Sequence, residues 1–129
     1  KYASRACWGN CWDASMDGLL NEVDGKMTRN HIWYGYQQYA GMFRKRYVTE
    51  EIRDLGVLAG EGIDGKIVLV GNLLENDRNI SLKLILSDAD NVNVQSITNN
   101  GLVDKTFNKD SGNIDFVIGS FESVVVTIK

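Results

Sequence analysis

Few side chains in this sequence are of a type and spacing that does chemistry. Its acids fall in turns and connections: Glu22 and Asp24 beside a turn, Glu50, Glu51 and Asp54 in one charged stretch, Asp88 and Asp90 between strand patterns. They read as solvated surface, not as a catalytic carboxylate pair. The single histidine, His31, stands at the start of a helical pattern with no Ser or Cys partner pattern around it, so nucleophilic catalysis is not indicated. Cys7 and Cys11 are the only cysteines. Metal centres normally take three or four ligands, so no zinc site is expected. The two thiols fit either a disulfide across a curled loop or two separate buried positions. Gly60-Glu61-Gly62 is not a phosphate loop. No cofactor is expected.

The bulk properties exclude further classes. The chain has 129 residues and a formal net charge of -3, against the concentrated basic surface that nucleic acid requires. The one basic cluster, Arg44-Lys45-Arg46, follows an apolar helical pattern, where cations meet the negative end of the helix dipole. No apolar run approaches the roughly 20 residues of a membrane span. The sequence opens at Lys1 with neither an initiator Met nor a signal-peptide pattern. That opening reads as a processed product, a trimmed chain or a fragment.

The elements that must position these residues divide the chain into two unlike parts near Arg46. The first holds Trp8, Trp12 and Trp33 with Tyr2, Tyr34, Tyr36 and Tyr39. It reads as strand (2–8), loop (9–17), a turn at Asp24-Gly25, and a helix capped by Asn30. Ile32, Trp33, Tyr36, Tyr39, Ala40 and Phe43 make one apolar face of that helix. Gly35 and Gly41 weaken it by about 1 kcal/mol each, so it depends on packing. One strand and one helix bury too little to offset the ordering entropy, and this aromatic surface needs a partner.

The second part reads as strands. Ile67 to Leu74 is a nearly continuous apolar run. Ile80, Leu82, Leu84 and Leu86 alternate with Ser81, Lys83, Ile85 and Ser87; Ile114, Phe116 and Ile118 recur at the same period, and Val124, Val126 and Ile128 share one face of a final strand. Val92 and Val94 begin another strand, Asn100-Gly101 marks a hairpin, and Asp110-Ser111-Gly112 a turn. The expected fold class is mainly β: an antiparallel β-sandwich, preceded by a strand–loop–helix segment.

One resemblance covers the whole chain in order. Arg5-Ala6-Cys7-Trp8-Gly9-Asn10-Cys11-Trp12-Asp13, then Asp17-Gly18-Leu19-Leu20, Asp24-Gly25-Lys26 and the helix from His31 to Tyr39 resemble the end of a (β/α)8-barrel glycoside hydrolase. The likeness is to β-xylosidase-like and α-L-arabinofuranosidase-like enzymes, which add a C-terminal sandwich. Residues 62–74 and Ser123-Val124-Val125-Val126-Thr127-Ile128 resemble that sandwich's first and last strands. Many relatives carry a Pro before the last helix; here the place reads Lys26-Met27-Thr28-Arg29-Asn30.

The resemblance implies a division at 46/47: residues 1–46 as the last strand, loop and helix of a catalytic barrel, 47–129 as the C-terminal sandwich. It implies that the two catalytic glutamates lie before Lys1. It also implies that Trp8 ends the eighth strand, at the face where barrel active sites open. There an indole offers a flat platform to the C–H face of a sugar; packing under the loop is the competing role. Trp12 and Asp13 extend the same subsite or pack the loop. The implied partners are a carbohydrate substrate of plant type and the remainder of the barrel, in an extracellular or periplasmic setting, with neither nucleic acid nor membrane. The alternatives are a carbohydrate-binding sandwich and a structural sandwich. The first wants exposed strand aromatics, and the strand half offers only Tyr47, Phe107, Phe116 and Phe121. The second leaves the Trp-rich start unexplained.

Overall fold

The computed structural model describes residues 20–42, 44–47, 49, 52–63, 65–86, 90–110 and 112–129. Its first element is a ribbon of β1 (Leu20–Val23) and β2 (Lys26–Arg29), joined by Asp24-Gly25. Both turn residues have positive φ, 52° and 73°, the hairpin geometry that an Asp-Gly pair favours. The sequence signalled this turn but not its flanking strands, because Lys26-Met27-Thr28-Arg29 is exposed throughout and carries no apolar alternation.

Helix α1 (His31–Gly41) follows at once. Asn30, 1% exposed, caps it by accepting the Trp33 N–H at 3.1 Å. At the other end Met42 N–H donates to the Tyr39 carbonyl, and the Arg46 guanidinium reaches the same oxygen at 3.5 Å while stacking 4.1 Å from the Tyr39 ring. The basic cluster thus lies beyond the last turn, with Lys45 and Arg46 in a strand, and one of its cations does serve the helix end.

The rest is antiparallel. Strands β3 (Lys45–Tyr47), β4 (Leu55–Gly62), β5 (Gly65–Asn72), β7 (Val92–Thr98), β8 (Gly101–Asp104) and β11 (Ser123–Ile128) form one sheet in the order β3-β4-β5-β11-β7-β8. Strands β6 (Arg78–Lys83), β9 (Asn108–Asp110) and β10 (Asn113–Ile118) form a second in the order β6-β10-β9. The sheets face each other across one core. Val68, Val70, Val94, Val124, Val126 and Ile128 come from the first, and Ile80, Ile114, Phe116 and Ile118 from the second. Every strand alternation named above points its apolar set into this core. Strand β3 runs across residues 46 and 47 and joins the larger sheet.

The last strand lies at the centre of the larger sheet, between β5 and β7. Its Val124-Val125-Val126 is fully buried as a continuous run. A strand reads that way when both faces are covered. The inner face meets the small sheet, and the helix α1 packs on the neighbouring strands β5 and β7. The molecule is therefore layered: helix, six-stranded sheet, three-stranded sheet.

The end of the helix lies tight against β4. A methyl group on Gly62 would overlap the Gly41 carbonyl oxygen, and one on Gly60 would overlap the Met42 side chain. Gly62→Ala must therefore push the helix end off the sheet, at about 1–3 kcal/mol. Hydrogen exchange checks this: amides of α1 should lose protection while those of β5 and β11 keep theirs.

Candidate functional site

Trp8, Trp12 and Asp13, the residues expected to contact substrate, lie outside the described residues, as do Cys7 and Cys11. The described residues offer a different feature. An open groove of about 870 Å³ runs between α1 and the outer face of the larger sheet. Tyr36 and Tyr39 line it from the helix, Leu58, Leu69 and Ile97 from the sheet, and Phe121 from the β10–β11 turn. It exists because α1 carries Gly35 and Gly41 on its sheet side. The helix lies low over Ile97 and Ile67 there and leaves the flank toward Gly56 and Gly71 uncovered.

Phe121 marks the mouth. It is a bulky residue at φ 49°, a left-handed conformation that costs about 1–2 kcal/mol outside glycine, and its side chain is 64% exposed. Tight hydrogen bonding imposes that turn: Phe121 N–H donates to Leu74 O at 3.0 Å, Glu122 N–H to Gly119 O at 3.2 Å, and Asn72 N–H to Glu122 O at 2.9 Å. Buried Asn72 holds the turn from below, its amide donating to Asn76 O and Gly119 O at 2.8 Å each.

Among the described residues the groove has one carboxylate on its wall, Glu122, and that group is fully engaged. It accepts from Ser96 Oγ, from the Gly119 N–H and, through both oxygens, from Lys105 Nζ at 2.9 and 3.0 Å. Burial pushes its pKa up, but the Ser96, Gly119 and Lys105 donors outweigh burial and hold it below the usual glutamate value. A general acid needs the opposite shift. At the same mouth His31 sits on the β7–β8 turn: its N–H donates to Asn99 Oδ1 at 3.1 Å and its Nδ1 lies 2.7 Å from that oxygen. The contact makes Nδ1 the protonated nitrogen, since a carbonyl oxygen only accepts. His31 therefore splints helix to sheet.

No group of three or more His, Cys, Asp or Glu side chains among the described residues could hold a metal ion. No described helix is long and apolar enough to cross a membrane. Chemically, the groove can cover an apolar surface and can give it a polar rim. Among the described residues its carboxylate and its imidazole, Glu122 and His31, are each held by partners of their own. Glu122, Lys105, Ser96 and Asn72 escaped the sequence reading because their spacing in sequence is irregular; only the strand order joins them.

No family model matches the chain, and no curated protein matches it in sequence. Solved structures do match. The catalytic domain of GH30 xylanase C from Talaromyces cellulolyticus aligns with a TM-score of 0.68 at 16% identity, over 87% of this chain and 27% of that one. A family 30 subfamily 8 xylanase from Clostridium acetobutylicum gives 0.65 at 14%, over 88% and 31%. The GH51 arabinofuranosidase from Xanthomonas axonopodis pv. citri gives 0.65 at 11%, over 87% and 29%. The fold is glycoside-hydrolase-like. It corresponds to the C-terminal part of those chains and spans less than a third of their length. At such identities the likeness is one of fold.

Proposed function

We propose that this chain is the C-terminal part of a glycoside hydrolase acting on plant-type poly- or oligosaccharide. In this reading residues 1–46 close the catalytic barrel, and residues 47–129 form its accessory sandwich. The catalytic carboxylates come from the preceding part of the protein. Trp8 forms the floor of a sugar subsite, with Trp12 and Asp13 beside it, and the enzyme works outside the cytoplasm, in an extracellular or periplasmic setting.

The observation that carries the proposal is the groove. A groove of about 870 Å³ lined by Tyr36, Tyr39 and Phe121 offers a seat for a covering surface. The fold likeness supports a preceding barrel as that cover, since the matched hydrolases are about three times as long as this chain. The engaged state of Glu122 supports the division of labour, since the one acid that lines the groove among the described residues is already committed to structure.

The test is an assay of the chain alone on aryl xylosides and arabinosides, beside the protein encoded with its upstream sequence. The expected result is no turnover by the chain and hydrolysis by the longer protein, lost there when either upstream glutamate becomes Gln. Robust turnover by the chain, abolished by changing one of its own acids, would overturn the reading.

A further inference from the structure

A second recess lies on the same sheet face, beyond the opposite flank of α1, and its chemistry differs from the groove's. It measures about 330 Å³. Strand register builds its floor: Ile67 of β5, Thr127 of β11 and Asn93 of β7 form one row across three neighbouring strands. Gln95 stands one row further in, and Gln38 overhangs from the helix. Lys66 and Lys129 stand at the rim.

We infer that this recess binds a neutral hydroxyl-rich ligand of one or two sugar rings. Side-chain amides each present donors and an acceptor in one plane, and a hydroxyl does both, so Gln38, Asn93, Gln95 and Thr127 match the dual character of sugar hydroxyls. Among the described residues, no hydrogen bond occupies the side chains of Gln38, Asn93 or Thr127, while Gln95 Nε2 is fixed by Asp104 Oδ1 at 2.8 Å. The polar atoms thus converge on the recess and are not spent on each other. Ile67 and Leu102 supply an apolar patch for ring C–H groups. The volume is at the small end of the roughly 300–1,000 Å³ typical of ligand sites, which sets the one- or two-ring limit. Among the described residues no Asp or Glu side chain lines the recess, so a divalent cation would meet only neutral oxygens beside Lys66 and Lys129. Among the described residues no aromatic ring lines it either, so binding there rests on hydrogen bonds and stays weak.

The inference is independent of the subsite assigned to Trp8. The experiment is a titration of the isotopically labelled chain with xylobiose, followed by amide NMR, beside a parallel titration with sodium acetate. Xylobiose should give saturable shifts in the side-chain amides of Gln38, Asn93 and Gln95, with a dissociation constant of about 1–10 mM that molar salt leaves unchanged. Asn93→Ala and, separately, Gln38→Leu should weaken binding about three- to tenfold each; both sit at the surface, and an unchanged spectrum elsewhere confirms an intact fold. Absence of saturation overturns the inference. So does a response to acetate alone that salt abolishes, which would mean an ion site. Shifts confined to the Trp8 and Trp12 indoles also overturn it, while leaving the proposed hydrolase subsite standing.

Discussion

Ile114→Ala should remove about 2–5 kcal/mol of unfolding free energy, the range for truncating a fully enclosed aliphatic side chain. Ile114 is 0% exposed. It sits in β10, the middle strand of the smaller sheet, opposite Leu82 on one side and Lys109 on the other. Its side chain enters the layer where Val124 and Val126 arrive from the larger sheet. The valines that face it from the larger sheet are β-branched and stiff at χ1, so they do little to close the gap. Leu84→Ala, at a position the alternation places equally deep, should cost distinctly less, since Leu84 follows the end of β6 and is only half-buried. Urea denaturation of both variants checks the ranking. Equal losses would mean that the sheet ends are as well packed as the centre.

That contrast shows where sequence legibility stops. Period-2 alternation told which face each strand buries, and it held at Ile80, Leu82, Ile114, Phe116, Ile118, Val124, Val126 and Ile128. It could not tell how deep each position lies, because depth depends on strand order. The last strand sits at the centre of its sheet, which no local pattern announces. The same holds for the third layer. An apolar helix face was legible from Ile32, Trp33, Tyr36 and Tyr39, and so was its need for a partner. Its seat on Ile97 and Ile67 rests on glycines whose role is clearance rather than propensity. The groove follows from that seat and was invisible in the sequence. The turns were the most legible part, because Asp24-Gly25 and Asn100-Gly101 carry their backbone chemistry in their own residue types.

Glu122→Ala should be the next most damaging change, at roughly 1.5–3 kcal/mol near neutral pH, the range for a hydrogen bond to a charged group. Lys105 and Glu122 side chains are 22% and 18% exposed, enough water to soften the loss of a partner. The change strands three donors together: Ser96 Oγ, the Gly119 N–H and Lys105 Nζ. It also frees the turn that holds Phe121 at the groove mouth. Because the folded pKa of Glu122 is depressed, its contribution is fully present above the unfolded value of about 4.3 and is lost as pH falls through the lower folded value. Wild-type stability should therefore be level from about pH 6 to 8 as far as this group is concerned, and should decline below about pH 4.5. In Glu122→Gln the group cannot titrate. That variant should be less stable than wild type at neutral pH, and the gap should narrow steadily as the solution is acidified. Thermal unfolding of the two proteins across that pH range measures the gap directly. A gap that stays constant down to pH values well below the unfolded glutamate pKa would mean that Glu122 acts through shape alone. The donors around it would then contribute nothing as partners of its charge.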